Sequence, residues 1–162
     1  MRPHGLLKGV IMEPGSYEYT SKAQTIETWC EEKSGHSELD FGVRMRHGRL
    51  VVPRSGLYQV FSHIYFSEDT DPRKSNNTEL EHKMYKFNIL HEDSGEEELL
   101  QAGLTPCLQS QKWQPQEENA GSYAGAITHL QAGDEISVRV TYIHFLEGCK
   151  GEHYFGLHKI GS

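Results

Sequence analysis

The chain has 162 residues, 23 acidic against 16 basic side chains, a formal net charge of −7 and 36% hydrophobic residues. That is one domain's worth, long enough for a real core, and its acidity with no Lys/Arg run longer than a pair excludes nucleic acid and anionic membrane as natural partners. No window of ~18 apolar residues spans a bilayer, and Met1–Lys8 lacks the apolar segment of a signal peptide, so the expectation is an intracellular protein or the soluble part of something longer.

Short runs of β-type composition recur along the chain, broken by turn residues. In order they are Phe41–Arg46, Leu50–Val52, Gly56–Phe66, Glu81–Leu90, Glu98–Ala102, Ser122–Leu130, Glu135–Tyr142 and Tyr154–Ile160. The punctuation between them includes His47-Gly48, Pro53–Gly56, Asp93–Gly95 and Gln131–Asp134. Only Glu96–Gln101 has helix-like composition, and it is too short to count. Many strands with no helical period between them predict an all-β, two-sheet antiparallel jelly-roll sandwich in a single domain, residues 1–162. The stretches Ser67–Glu79 and Leu108–Ala120 read as long loops, which in compact domains are often functional.

Gly56–Phe66 stands out because both of its faces are apolar. Side chains alternate along a strand. One side carries Tyr58, Val60, Ile64 and Phe66; the other carries Leu57, Phe61 and Tyr65, with Gln59 and His63 among them. A sheet over one core needs one apolar side, so the second asks for a cover, either a third layer of this chain or another copy of it. Tyr154 and Ile160 in the last strand, and Tyr123 and Ile127 in Ser122–Leu130, form a similar second side. Gly125 among them leaves room for a close backbone approach. By contrast, Ile136–Tyr142 alternates apolar with polar, as an outer strand with one wet face should.

The ten histidines are scattered, and no His-Glu-x-x-His, Cys-x-x-Cys or Gly-x-Ser-x-Gly spacing occurs, so no enzyme or local zinc cage is expected. An odd count of three cysteines leaves at least one unpaired or metal-bound. Cys30 and Cys149 lie in loop-like sequence and either pair or stay free. Cys107, after Leu-Thr-Pro, reads as a small buried apolar residue or, if the molecule has threefold symmetry, as one of three thiolates that with one small ligand hold tetrahedral zinc. No other cofactor is expected. Asn76-Asn77-Thr78 is an N-glycosylation sequon placing a candidate glycan on Asn76.

Segment 46–66, reading RHGRLVVPRSGLYQVFSHIYF, resembles the central signature of the tumour necrosis factor ligand family. Trp29 ahead of it, YAGAI from Tyr123, LQAGDEISV from Leu130 and YFGL from Tyr154 follow the family order, so the resemblance covers nearly the whole chain from Gly5. It implies a ten-stranded jelly roll assembled as a homotrimer. Such a domain is normally the extracellular part of a type II membrane protein, sometimes secreted or shed. Its partners are cysteine-rich receptors of the tumour necrosis factor receptor family, bound in grooves between protomers to trigger apoptotic or immune signalling.

By position, the resemblance assigns Phe61, Tyr123, Ile127 and Tyr154 to the trimer interface, where Gln59 departs from a usually apolar site. Ser34–Ser37 and Cys107 are similar to members that hold zinc on the trimer axis. Other members pair that cysteine with one in the preceding loop, but Ser67–Glu79 has none, which favours zinc or a free thiol. Receptor contacts are expected from Glu31, Lys33, the Ser67–Glu79 loop, Leu90, His91, Glu92, Glu147 and Lys150. Leu90 stands where a tyrosine often anchors the receptor, and reads equally as a strand-end core residue. The competing resemblance is the C1q-like family, a trimeric recognition module, against which stands the absence of a collagen-like Gly-x-y tract. A cupin-type enzyme lacks the histidine spacing its metal site needs.

Overall fold

The computed structural model describes residues 2–11, 15, 17–18, 22–30, 38–66, 81–90, 95–102, 120–141, 143, 146 and 153–162. Among these the chain forms eleven strands: β1 His4–Lys8, β2 Gln24–Thr25, β3 Glu38–Asp40, β4 Arg44–Arg46, β5 Arg49–Val51, β6 Gly56–Phe66, β7 His82–Phe87, β8 Glu96–Gln101, β9 Ala120–Leu130, β10 Glu135–Val140 and β11 Tyr154–Gly161. One sheet runs β3-β1-β11-β6-β9 and the other β4-β5-β10-β7-β8, with the two-residue β2 added beside β10. Every pairing is antiparallel. This is the expected two-sheet jelly roll, ten strands in two runs of five plus a short extra one.

The core lies between the sheets. Leu7, Tyr58, Val60, Ile64, Ala124, Phe155 and Leu157 come from the first sheet, and Leu50, Met84, Ile136, Val138 and Val140 from the second. Burial of such surface is the main stabilising term, ~25 cal/mol per Å² of apolar area. Trp29 closes one end, its ring 5.7 Å from Phe155. Tyr58 is fully buried, and its hydroxyl donates to the Arg54 carbonyl at 2.7 Å. His82 crosses the sandwich from β7, its ring nitrogens 2.9 Å from the hydroxyls of Ser62 on β6 and Ser122 on β9. Burial, and then the nearby His63, hold its pKa down at about 3. Neutral imidazole suits this place, because one nitrogen can donate while the other accepts.

Several elements differ from the expectations. The strand expected at Phe41–Arg46 begins only at Arg44, because Phe41 and Gly42 take φ of 54° and 96° and make the turn out of β3. The strand expected at Glu98–Ala102 is present as β8 but starts two residues earlier, at Glu96, and lies at the sheet edge paired to β7. β10 is not an outer strand with one wet face. It is central, flanked by β7 on one side and by β5 and β2 on the other, and Glu135, Ser137 and Thr141 are buried beside its apolar residues. Its polar side is roofed by Arg139 lying 4.1 Å over the Tyr85 ring and by Arg49 lying 5.0 Å over Phe87.

Candidate functional site

The site of interest is the side of the first sheet that faces away from the core. Strand registers place its residues in three rows. The first row crosses all five strands as Asp40, His4, His158, Gln59 and Ile127. The middle row is Glu38, Leu6, Gly156, Phe61 and Gly125. The third is Lys8, Tyr154, His63 and Tyr123. Phe61, Tyr123, Ile127 and Tyr154, singled out from the sequence, thus lie within three adjacent strands on one surface.

Among the described residues, rings on this face pack on each other. Phe61 meets Tyr154 edge-on at 6.1 Å and His158 at 6.4 Å. His63 stacks on Tyr154 at 5.3 Å with the planes 14° apart. Two glycines let the rings lie down. A Cβ on Gly156 would come 2.6 Å from the Phe61 ring and 2.7 Å from the Gly5 carbonyl oxygen. A Cβ on Gly125 would come 2.6 Å from the Tyr123 hydroxyl. The room expected at Gly125 for another backbone is therefore taken by the Tyr123 ring of the same chain. Even so, Tyr123 remains 53% exposed and Ile127 62% exposed.

A second feature lies at the end of β7. Asn88 is buried and stops the strand by turning its side chain onto neighbouring backbone. Its carbonyl oxygen accepts from Leu90 N–H at 2.9 Å, while its amide donates to Asp134 at 2.7 Å. Asp134 in turn accepts from Gln131 N–H at 2.8 Å. This tie holds Ile89 and Leu90 outward, 62% and 79% exposed. The reading of Leu90 as a core residue is thus overturned, and Ile89 joins it as an exposed neighbour that sequence reasoning missed. An open cleft of about 460 Å³ beside them is lined by Lys86, Asn88, Gly95, Glu97 and Asp134, among others.

The other expected site residues lie outside the described residues: Glu31, Lys33, His91, Glu92, Glu147 and Lys150 for the receptor, Cys107 for zinc, Asn76 for the glycan, and Cys149. Cys30 is buried and disulfide-bonded. Among the described residues no group of three or more His, Cys, Asp or Glu is arranged to hold a metal ion, and no helix is long and apolar enough to cross a membrane.

Comparison with known proteins fits this architecture. The family model of the tumour necrosis factor family matches residues 27–160. Human tumor necrosis factor ligand superfamily member 6 is 29% identical over 121 residues, covering 74% of this chain and 39% of the relative. Tumor necrosis factor of Marmota monax is 32% identical over 136 residues, 80% of this chain and 54% of the relative. Mouse member 10 of the ligand superfamily, the TNF-related apoptosis-inducing ligand, is 28% identical over 153 residues, 88% of this chain and 50% of the relative. The chain belongs to the tumour necrosis factor family, whose members are ligands rather than enzymes. It spans roughly two fifths to a half of the length of these relatives.

Proposed function

We propose that this chain is the receptor-binding part of a trimeric cytokine that clusters cysteine-rich receptors of the tumour necrosis factor receptor family at the cell surface. The observation that carries the proposal is the ring-bearing face of the first sheet, where Tyr123 and Ile127 are exposed and Phe61 and Tyr154 half-buried. Exposed aromatic and aliphatic side chains in one contiguous patch mark interaction surfaces. Packing three such faces together around an axis removes them from water and creates three equivalent grooves. Three grooves acting together convert modest single-site affinity into stable engagement.

In this reading Phe61, Tyr123, Ile127 and Tyr154 form the interface. Leu90, with Glu31, Lys33, His91, Glu92, Glu147 and Lys150, lines the grooves. The bonded state of Cys30 supports an oxidising, extracellular setting for a secreted or shed ectodomain.

Cys149 is the proposed partner of Cys30. Gly9 accepts a hydrogen bond from Cys30 N–H at 2.9 Å and donates one to the His153 carbonyl at 2.8 Å, so Cys30 lies two strand spacings from a residue four positions after Cys149. That pairing would leave Cys107 as the single thiol of each protomer. Three such thiolates are the donor set that zinc takes with one further small ligand. Zinc retained by a Cys107→Ser variant would remove Cys107 from this account.

The function itself is tested by surface plasmon resonance of the chain against a panel of cysteine-rich receptor ectodomains. Saturable binding by at least one, with slow dissociation that shortens when the receptor is presented sparsely, supports the reading. Failure to bind any of them, with the chain folded, contradicts it.

A further inference from the structure

The open face carries imidazoles in both rows that flank Phe61. Resting on the trimeric reading above, we propose that His4, His63 and His158 act as a pH sensor that dissociates the trimer in mildly acidic surroundings while each protomer stays folded.

His158 sits at the centre of the first row. From β1 it faces His4, with ring centres 6.3 Å apart; from β6 it faces Gln59 and the edge of Phe61. Arg2, bonded to the Ile160 carbonyl at 2.7 Å, adds a fixed positive charge nearby. Lys159, next along the strand, turns its amine onto the Gly161 carbonyl. Burial first, and then His4 and Arg2, hold the His158 pKa below its ordinary value. His4 has Asp40 as its register partner on β3 and the Glu38 carboxylate at 3.9 Å. His63 lies between Tyr154 of β11 and Tyr123 of β9, with its ring against Gly121. Lys8 follows Tyr154 in the same row, and His153 and His82 lie close enough on other sides to feel the charge of His63.

At neutral pH the charges on this face balance, Arg2 and Lys8 standing against Glu38 and Asp40. Histidine is the side chain that gains charge between neutral and mildly acidic pH, and every proton added to this face adds to Arg2 and Lys8 and makes the patch net positive. Threefold packing would bring three such patches together and strip water from them. Charging groups in that setting is opposed by both desolvation and like charge. Protons are then taken up when the trimer comes apart, and acid pulls it apart by mass action.

The test is sedimentation of wild type and of a His63→Gln/His158→Gln variant at pH 7.5 and 5.5, with far-ultraviolet circular dichroism on the same samples. The expected result is a wild-type trimer at pH 7.5 that weakens at least about a hundredfold by pH 5.5 with its β-sheet spectrum unchanged, while the variant remains trimeric. A wild-type trimer equally tight at both values overturns the proposal, as does a variant that dissociates along the same pH curve. A wild-type chain that is monomeric at pH 7.5 defeats the trimeric reading itself. Should the variant not fold, the slope of the wild-type trimer constant with pH decides. Uptake of one or more protons per trimer supports the sensor, and uptake of fewer than one rejects it.

Discussion

The outward faces of the two sheets carry similar side chains and meet opposite fates. On the second sheet, Tyr85 and Phe87 lie under the guanidinium planes of Arg139 and Arg49, and both arginines bind Glu96 across the top. Glu135 completes the lattice 3.8 Å from Arg49. On the first sheet, no arginine among the described residues lies over Phe61, Tyr123 or Tyr154, and the Tyr154 ring packs on Phe61 and His63. Aromatic residues on the outside of a sheet therefore do not by themselves announce a partner. What distinguishes the two is whether long cationic side chains of the same chain lie over the rings, satisfying them at home.

That contrast can be broken most severely at Phe61. Phe61→Glu puts a carboxylate in the middle of the open face, and the trimer constant should weaken more than about a thousandfold by analytical ultracentrifugation, with the protomer still folded. Gly156→Ala strikes the fold instead, because its methyl group would meet the backbone oxygen of Gly5 as well as the Phe61 ring. Overpacking of this kind costs roughly 1–3 kcal/mol, measured as a lower urea midpoint.

Acid separates the core from the open face. His82 is held neutral with a pKa of about 3 by burial and His63. His153 is held at about 4 by the same two causes, and its Nδ1 accepts the Tyr65 N–H at 3.1 Å. Both folded values lie below the unfolded one of about 6.5. Stability is thus complete above about pH 6.5 and falls as the unfolded chain takes up protons the native one refuses, flattening only below about pH 4 and then 3. At pH 5 the loss is about 2 kcal/mol for each histidine, checked by denaturant unfolding against pH in wild type and His82→Asn.

The roofed sheet gives a smaller effect. Arg139→Ala should cost about 1 kcal/mol of stability and leave the oligomeric state unchanged. Smallest in stability is Leu90→Ser, within about 0.5 kcal/mol because the side chain is already in water, yet with a measurable fall in receptor affinity by surface plasmon resonance.

Much of this was legible in the sequence where the signal is local. Gly56–Phe66 is a strand over its full expected length, and its double apolar character marks the open face. β1 escaped notice because its inward residues are Gly5 and Leu7, and a buried glycine leaves no apolar alternation to read. β2 and β3 are too short for any period to show. The polar alternation of β10 was misleading, since its roof comes from Arg49, far off in sequence, and its own Arg139. Likewise the outward turn of Leu90 depends on Asn88 reaching Asp134, and the burial of His82 on serines 20 and 40 residues away. Pairings at such separations leave no local trace.

The account turns on the uncovered rings of the first sheet. Light scattering of the wild-type chain at micromolar concentration and pH 7.5 tests it most directly. Three times the chain's mass, reduced to one by Phe61→Glu, is the predicted result. A folded wild-type chain at its single mass, or a Phe61→Glu variant still three times as heavy, would contradict it.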